Sequence, residues 1–99
     1  MADLNEACFE GIHCTIKVAR PHPTIVVLTF EGQDTGELGD APFWEIEKDF
    51  VKQPKIELFI DARLGKAASV DVSSEWARWL ATKRNNLLHV SMLTGSPFL

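Results

Sequence analysis

Cys8, His13, Cys14 and His22 fall within fifteen residues, a crowding of thiols and imidazoles that raises the question of a metal site. Zinc takes convergent thiolate and imidazole donors, usually from short paired spacings. No paired CxxC spacing occurs here. His13 and Cys14 are neighbours in an alternating stretch, and strand neighbours point to opposite faces. The expectation is no metal, a buried Cys14 and exposed histidines.

Asp61, Ser69, Ser73 and His89 carry the letters of a hydrolase triad. No nucleophile-elbow motif surrounds either serine, and His89 falls inside an expected strand. Gly65-Lys66 has the ending of a phosphate loop, but Ile60 stands where that motif needs its first glycine. The sequence therefore reads as non-enzymatic, without a cofactor. Arg63 and Lys66 remain as candidates for binding an anion, because ligands favour the carboxyl ends of strands in such sheets.

Ser73 and Ser74 head an amphipathic stretch. A hydroxyl there can cap the helix, worth ~1 kcal/mol. A phosphate there also suits the helix dipole, and would change the local charge by about 1.5 to 2 units. Three tryptophans stand in a chain without tyrosine. Trp76 shares an apolar stripe with Ala77, Leu80 and Ala81 and reads as core. Trp44 is turned about 100° from Phe43 on a helix. Trp44 and Trp79, with Arg78 beside the latter, are candidates for gripping a protein partner, as exposed aromatics commonly do.

The elements that must position these residues follow from periodicity. Residues 1–12 show none that is sustained and are expected to be loose; 13–99 form one domain. Cys14, Ile16 and Val18 alternate with Thr15, Lys17 and Ala19, a half-buried strand ended by Arg20-Pro21-His22-Pro23. Thr24–Phe30 is a β-branched run, read as a strand covered on both faces and paired with the first as a hairpin. Gln33–Gly39 is loop. Asp40 is placed to cap a helix with Pro42 in its first turn. Phe43, Ile46 and Phe50, with Val51 beside them, make its buried stripe.

Pro54 ends that helix. Ile56, Leu58 and Ile60 form a third strand, interior because Phe59 is apolar on its other face. Residues 62–72 read as an irregular connection. The second helix then starts at Ser73 or Ser74, with Glu75 in its first turn and Lys83 and Arg84 at its basic end. Leu87–Leu93 is the last strand. The order β-β-α-β-α-β implies an α/β fold: a mixed four-stranded sheet with helices packed on one side. The last three strands are parallel through right-handed crossovers, and the hairpin strand lies at an edge.

Composition agrees with a small globular domain. Ninety-nine residues, 45% hydrophobic and 24% charged, allow one modest core and exclude a disordered tail. No apolar run approaches the roughly 18 residues of a membrane span. The start lacks the basic and apolar regions of a signal peptide, so a cytoplasmic location with reduced thiols is expected. A net charge of −4 argues against nucleic-acid binding. Acids concentrate in residues 31–50 and bases in residues 63–84. That is either two solvated helix faces or a dipolar surface that steers a charged partner.

The hairpin His13–Phe30, the strand Lys55–Asp61, the serine-headed helix at 73–84 and the strand Leu87–Leu93 together resemble the STAS domain. That family includes anti-sigma-factor antagonists and the cytosolic domains of sulphate transporters. The resemblance covers roughly residues 13–95. It implies a binding module that docks on a serine kinase or anti-sigma factor and is switched by phosphorylation at the head of the second helix. The family's Asp-Ser pair falls on Asp71-Val72-Ser73-Ser74-Glu75. Valine stands at the usual acceptor position, and Ser73 and Ser74 follow it. The family also adds a helix after the last strand, where this sequence has only Ser96–Leu99. A cut chain, or another element covering that face, is then expected.

Three readings follow: a regulatory protein-binding module, a sensor of a small anion, nucleotide or lipid headgroup at residues 62–72, and a self-associating unit forming a homodimer.

Overall fold

The structure, a computed structural model, describes residues 5–66 and 70–94. Five strands and two helices follow in the order β1 (Glu6–Glu10), β2 (Cys14–His22), β3 (Ile25–Gly32), α1 (Ala41–Lys52), β4 (Ile56–Gly65), α2 (Val70–Thr82) and β5 (Leu87–Thr94). They form one mixed sheet in the spatial order β1-β2-β3-β4-β5. The β1–β2 and β2–β3 pairings are antiparallel, and the β3–β4 and β4–β5 pairings are parallel. No helix among the described residues is long and apolar enough to cross a membrane.

The α/β class and mixed sheet match the expectation, but the strand count does not. Glu6–Glu10, read as loose, is a fifth strand. Its alternation is only five residues long: Ala7 and Phe9 pair with Val18 and Ile16 on the helix-covered side, and Glu6, Cys8 and Glu10 face away. The hairpin strand β2 is therefore interior, and β1 takes the edge. Residues 1–4 lie outside the described residues, as do 95–99, which include the expected Ser96–Leu99 tail.

The period-2 pattern builds one face of the sheet. Val18, Val26, Leu28, Ile56, Leu58 and Ile60 join Phe43 and Ile46 of α1 and Trp79 of α2 in a single core. Each fully buried aliphatic side chain contributes about 1.5–3 kcal/mol. Both helices pack on this face. The opposite face of β3 is half-buried rather than covered, with Val27 and Thr29 intermediate in exposure.

Local chemistry shifted several boundaries. Asp40 does occupy the N-cap of α1, but its side chain makes no cap hydrogen bond; its carbonyl accepts from the Trp44 amide. Pro42 sits in the first turn and is buried. On α1 the buried positions are Pro42, Phe43, Ile46 and Asp49, while Val51 is 87% exposed. β4 runs on to Gly65, paired with Gly32, so the irregular connection is shorter than residues 62–72. α2 begins at Val70, which puts Asp71 in its first turn and leaves no base in its last. Ser73, Ser74 and Glu75 thus lie past the first three helical positions and do not cap it. Lys83 and Arg84 follow the helix end.

One glycine is required by its backbone, and a second lies against a glutamate side chain. Gly32 has φ +81°, and a Cβ there would collide with the His13 carbonyl. A Cβ at Gly11 would run into the Glu37 side chain. That carboxylate accepts from the Ile12 amide at 3.1 Å and the His13 amide at 2.7 Å, closing the β1–β2 turn from 24 and 25 residues away.

Candidate functional site

Three of the residues singled out for partner contact meet in one place. Trp44 comes from α1, Arg78 and Trp79 from α2, and all line a groove of about 420 Å³ between the helices with Asp40, Phe43, Glu47, Glu75 and Thr82. Their roles differ. Trp79 is only 9% exposed. Its ring stacks on Phe43 at 5.2 Å, and its indole Nε1 donates to Glu47 at 3.0 Å. Trp79 is therefore core and forms the floor of the groove, and is not the exposed contact that its spacing suggests. It falls on the inward side of α2, together with Val72 and the half-buried Trp76.

Trp44 is 64% exposed and stands at the rim. Glu75 and Arg78 are exposed one turn of α2 away from each other. Glu47 also pairs with Lys83 at 3.3 Å. The rim thus carries three acids and one arginine around an aromatic floor.

Ser74 is exposed on α2, one turn before Arg78. Ser73 is also exposed and lines a second cavity of about 300 Å³, between α2 and the carboxyl ends of β3 and β4. Its other walls include Phe30, Ile60, Val72, Trp76, Leu80 and Met92, with Asp34 and Lys66 as its charged groups. Asp34 is buried and accepts from the Gly36 amide at 3.0 Å.

The candidate anion pair is separated. Lys66 lines this cavity, but Arg63 turns to Asp61, donating from Nε at 3.0 Å and from Nη2 at 2.8 Å. The Arg63 hydrogen bonds, from side chain and backbone, hold the Asp61 carboxyl down at about 2. Asp61 and His89 both lie on the sheet face away from the helices, whereas Ser73 is on α2. No triad is assembled from these three; Ser69 lies outside the described residues. Cys14 is buried, and His13 and His22 are exposed. Among the described residues no group of three or more His, Cys, Asp or Glu side chains is placed to hold a metal ion.

Periodicity missed one buried cluster. Arg20 reaches from β2 to Asp49 and Glu45 of α1. The available signal was Asp49 itself, a charge three residues after Ile46 on the buried stripe. Such a charge requires a partner. No local spacing identifies Arg20 as that partner.

The fold defined here is a two-layer α/β domain with a five-stranded mixed sheet and two helices. No family model matches the chain, and comparison with curated proteins and with solved structures gives no match.

Proposed function

We propose that this chain is a non-enzymatic protein-binding module that receives its partner in the groove between α1 and α2. One observation carries the reading: Trp44, 64% exposed, lines the same groove as the stacked Phe43 and Trp79, among charged groups. A large exposed aromatic beside a packed aromatic floor is the usual composition of an interface hot spot. The acids Asp40 and Glu75 favour a partner segment that pairs an apolar side chain with a base.

The resemblance to STAS anti-sigma-factor antagonists supports the same class and suggests regulation by phosphorylation. A phosphate on Ser74 sits one helical turn from Arg78, within reach of a charge-assisted contact on the same face. It would alter the groove without unfolding α2.

The test is capture from native lysate by the wild-type chain and by Trp44→Ala in parallel, with the retained proteins identified by mass spectrometry. A protein held by the wild type and lost with Trp44→Ala supports the groove. Equal retention by both chains overturns it. Phosphate on Ser73 or Ser74 in protein from its native cell supports the switch, and its repeated absence across growth states removes it.

The cavity beneath α2 favours a second reading, a small-molecule sensor. Its mostly apolar walls, with Lys66 as the one cation opposite the charge of the buried Asp34, suit an apolar ligand with an anionic head better than a free anion. Thermal shift with a medium-chain fatty carboxylate against inorganic phosphate separates these: stabilisation by the carboxylate alone supports it, and by neither compound overturns it.

A further inference from the structure

The two edges of the sheet are built differently. β1 has five residues and opens and closes on exposed glutamates. β5 has eight residues, Leu87–Thr94, with no Asp, Glu, Lys or Arg among them. Val90 and Met92 pair in register with the core residues Leu58 and Ile60, which places them on the side of the sheet that the helices cover. They are nonetheless 42% and 61% exposed, and Leu88 and Leu93 are exposed as well. Long apolar edges are ordinarily blunted by charge, proline or a covering element. Among the described residues the one irregularity is a bulge at the start of β5, where Leu88 is the extra residue, and His89–Thr94 pair regularly with β4.

We propose that the chain forms a two-fold dimer by antiparallel pairing of β5 with β5 of a second copy, joining the two five-stranded sheets into one. Residues directly opposite each other in an antiparallel pair share a face of the sheet. An axis at Val90 sets Val90 against Val90 of the second copy, Leu88 against Met92, and His89 against Ser91. Val90 and Met92, both on the helix-covered side, then bring apolar side chains to the junction, and no like charges oppose. The same operation on β1, centred on Cys8, sets Glu6 against Glu10 of the second copy. Like charges directly opposite are destabilising. That contrast selects the β5 edge, and the symmetry of its pattern about Val90 selects a second copy as the occupant.

α2 is compatible with this arrangement. Ala77 lines the same cavity as Met92, so that flank of the helix lies beside β5. Ala77 and Ala81, one turn apart, are both exposed, and their short side chains let the helices of the two copies approach above the junction.

Light scattering of the full chain across a concentration range tests the mass, and the expected result is twice that of one chain. Val90→Lys places two lysines directly opposite and should give a monomer. Val90 is already partly exposed, so the folded chain tolerates the change, which circular dichroism verifies. In a Cys8→Ser background, Val90→Cys should cross-link on mild oxidation, because opposed Cα atoms about 4.5–5.5 Å apart suit a disulfide. Met92→Cys, facing Leu88 of the second copy, should not. A wild-type chain that stays monomeric at millimolar concentration overturns the proposal. So does a dimer undiminished by Val90→Lys, or cross-linking by Met92→Cys in preference to Val90→Cys.

Discussion

Arg20 donates from Nε to both carboxylate oxygens of Asp49, each at 2.9 Å, across 29 residues of sequence. Its Nη2 donates to the Glu45 carbonyl and to Glu45 Oε2, also at 2.9 Å. The side chains of Arg20 and Asp49 are 11% and 8% exposed. This cluster fixes the end of β2 to the middle of α1. Trp44, at the rim of the groove, is one residue before Glu45 on the stretch of α1 that the cluster holds.

Breaking one half of that pair should cost more than removing both. Asp49→Ala leaves a nearly buried guanidinium short of its main partner, and a loss of about 3–5 kcal/mol is expected. Arg20→Met with Asp49→Leu removes both charges and fills their volume, so the double variant should lose less than Asp49→Ala alone. Urea unfolding of the three chains measures this, and the order of their midpoints is the result to read.

Cys14 makes stability fall in alkali. Burial, followed by the charges of Asp34 and Glu37, pushes its thiol up to about 11. The folded chain then holds the proton more tightly than the unfolded chain, whose thiol titrates near its ordinary ~8.5. The contribution is fully present below that ordinary value and is lost as pH rises towards 11. Unfolding free energy should decline over this window in the wild type, and Cys14→Ala should remove that part of the slope. Iodoacetamide should label the exposed Cys8 in the native chain and reach Cys14 only after denaturation.

Glu37 should control the β1–β2 turn. Its carboxyl lies below the usual range, chiefly through the hydrogen bond from the His13 backbone. A lowered folded value means that the contribution is present above the ordinary ~4.3 and is lost as pH falls through the folded value. Glu37→Ala should speed hydrogen exchange at the Ile12 and His13 amides, while the β3 and β4 amides keep their protection. Acidification of the wild type should loosen the same two amides.

Trp44 and Trp79 should separate cleanly. Trp79→Ala empties a core position and should cost about 3–5 kcal/mol. Trp44→Ala removes a rim side chain and should stay within about 0.5 kcal/mol. Thermal unfolding distinguishes them. Iodide quenching adds a second readout, because only the Trp44 indole is well exposed.

The alternating stretches 14–18 and 56–60 were legible in the sequence because side-chain direction along a strand is a local, period-2 property. They gave the helix-covered face of the sheet, the interior place of β4 and the buried Cys14. Pro42 and the Phe43–Ile46 spacing likewise located α1. β1 was not legible: five alternating residues carry little weight until β2 has an edge that needs hydrogen-bond partners. The start of α2 is not legible from Ser73 and Ser74, which are good caps wherever a helix begins, because the helix begins three residues before the first of them.

What the tertiary structure alone decided is which side chains face one another. Trp44 and Trp79 are the same residue type on similar helices, yet one is a rim and the other a floor, because burial depends on what a neighbouring element covers. Asp49 reads as surface charge until Arg20 arrives from another strand. Arg63 and Lys66 read as one anion site until Asp61 takes the arginine. The absence of charge along β5 was already present in the sequence, but its meaning depends on that strand lying at an edge, which only the order of the folded sheet determines.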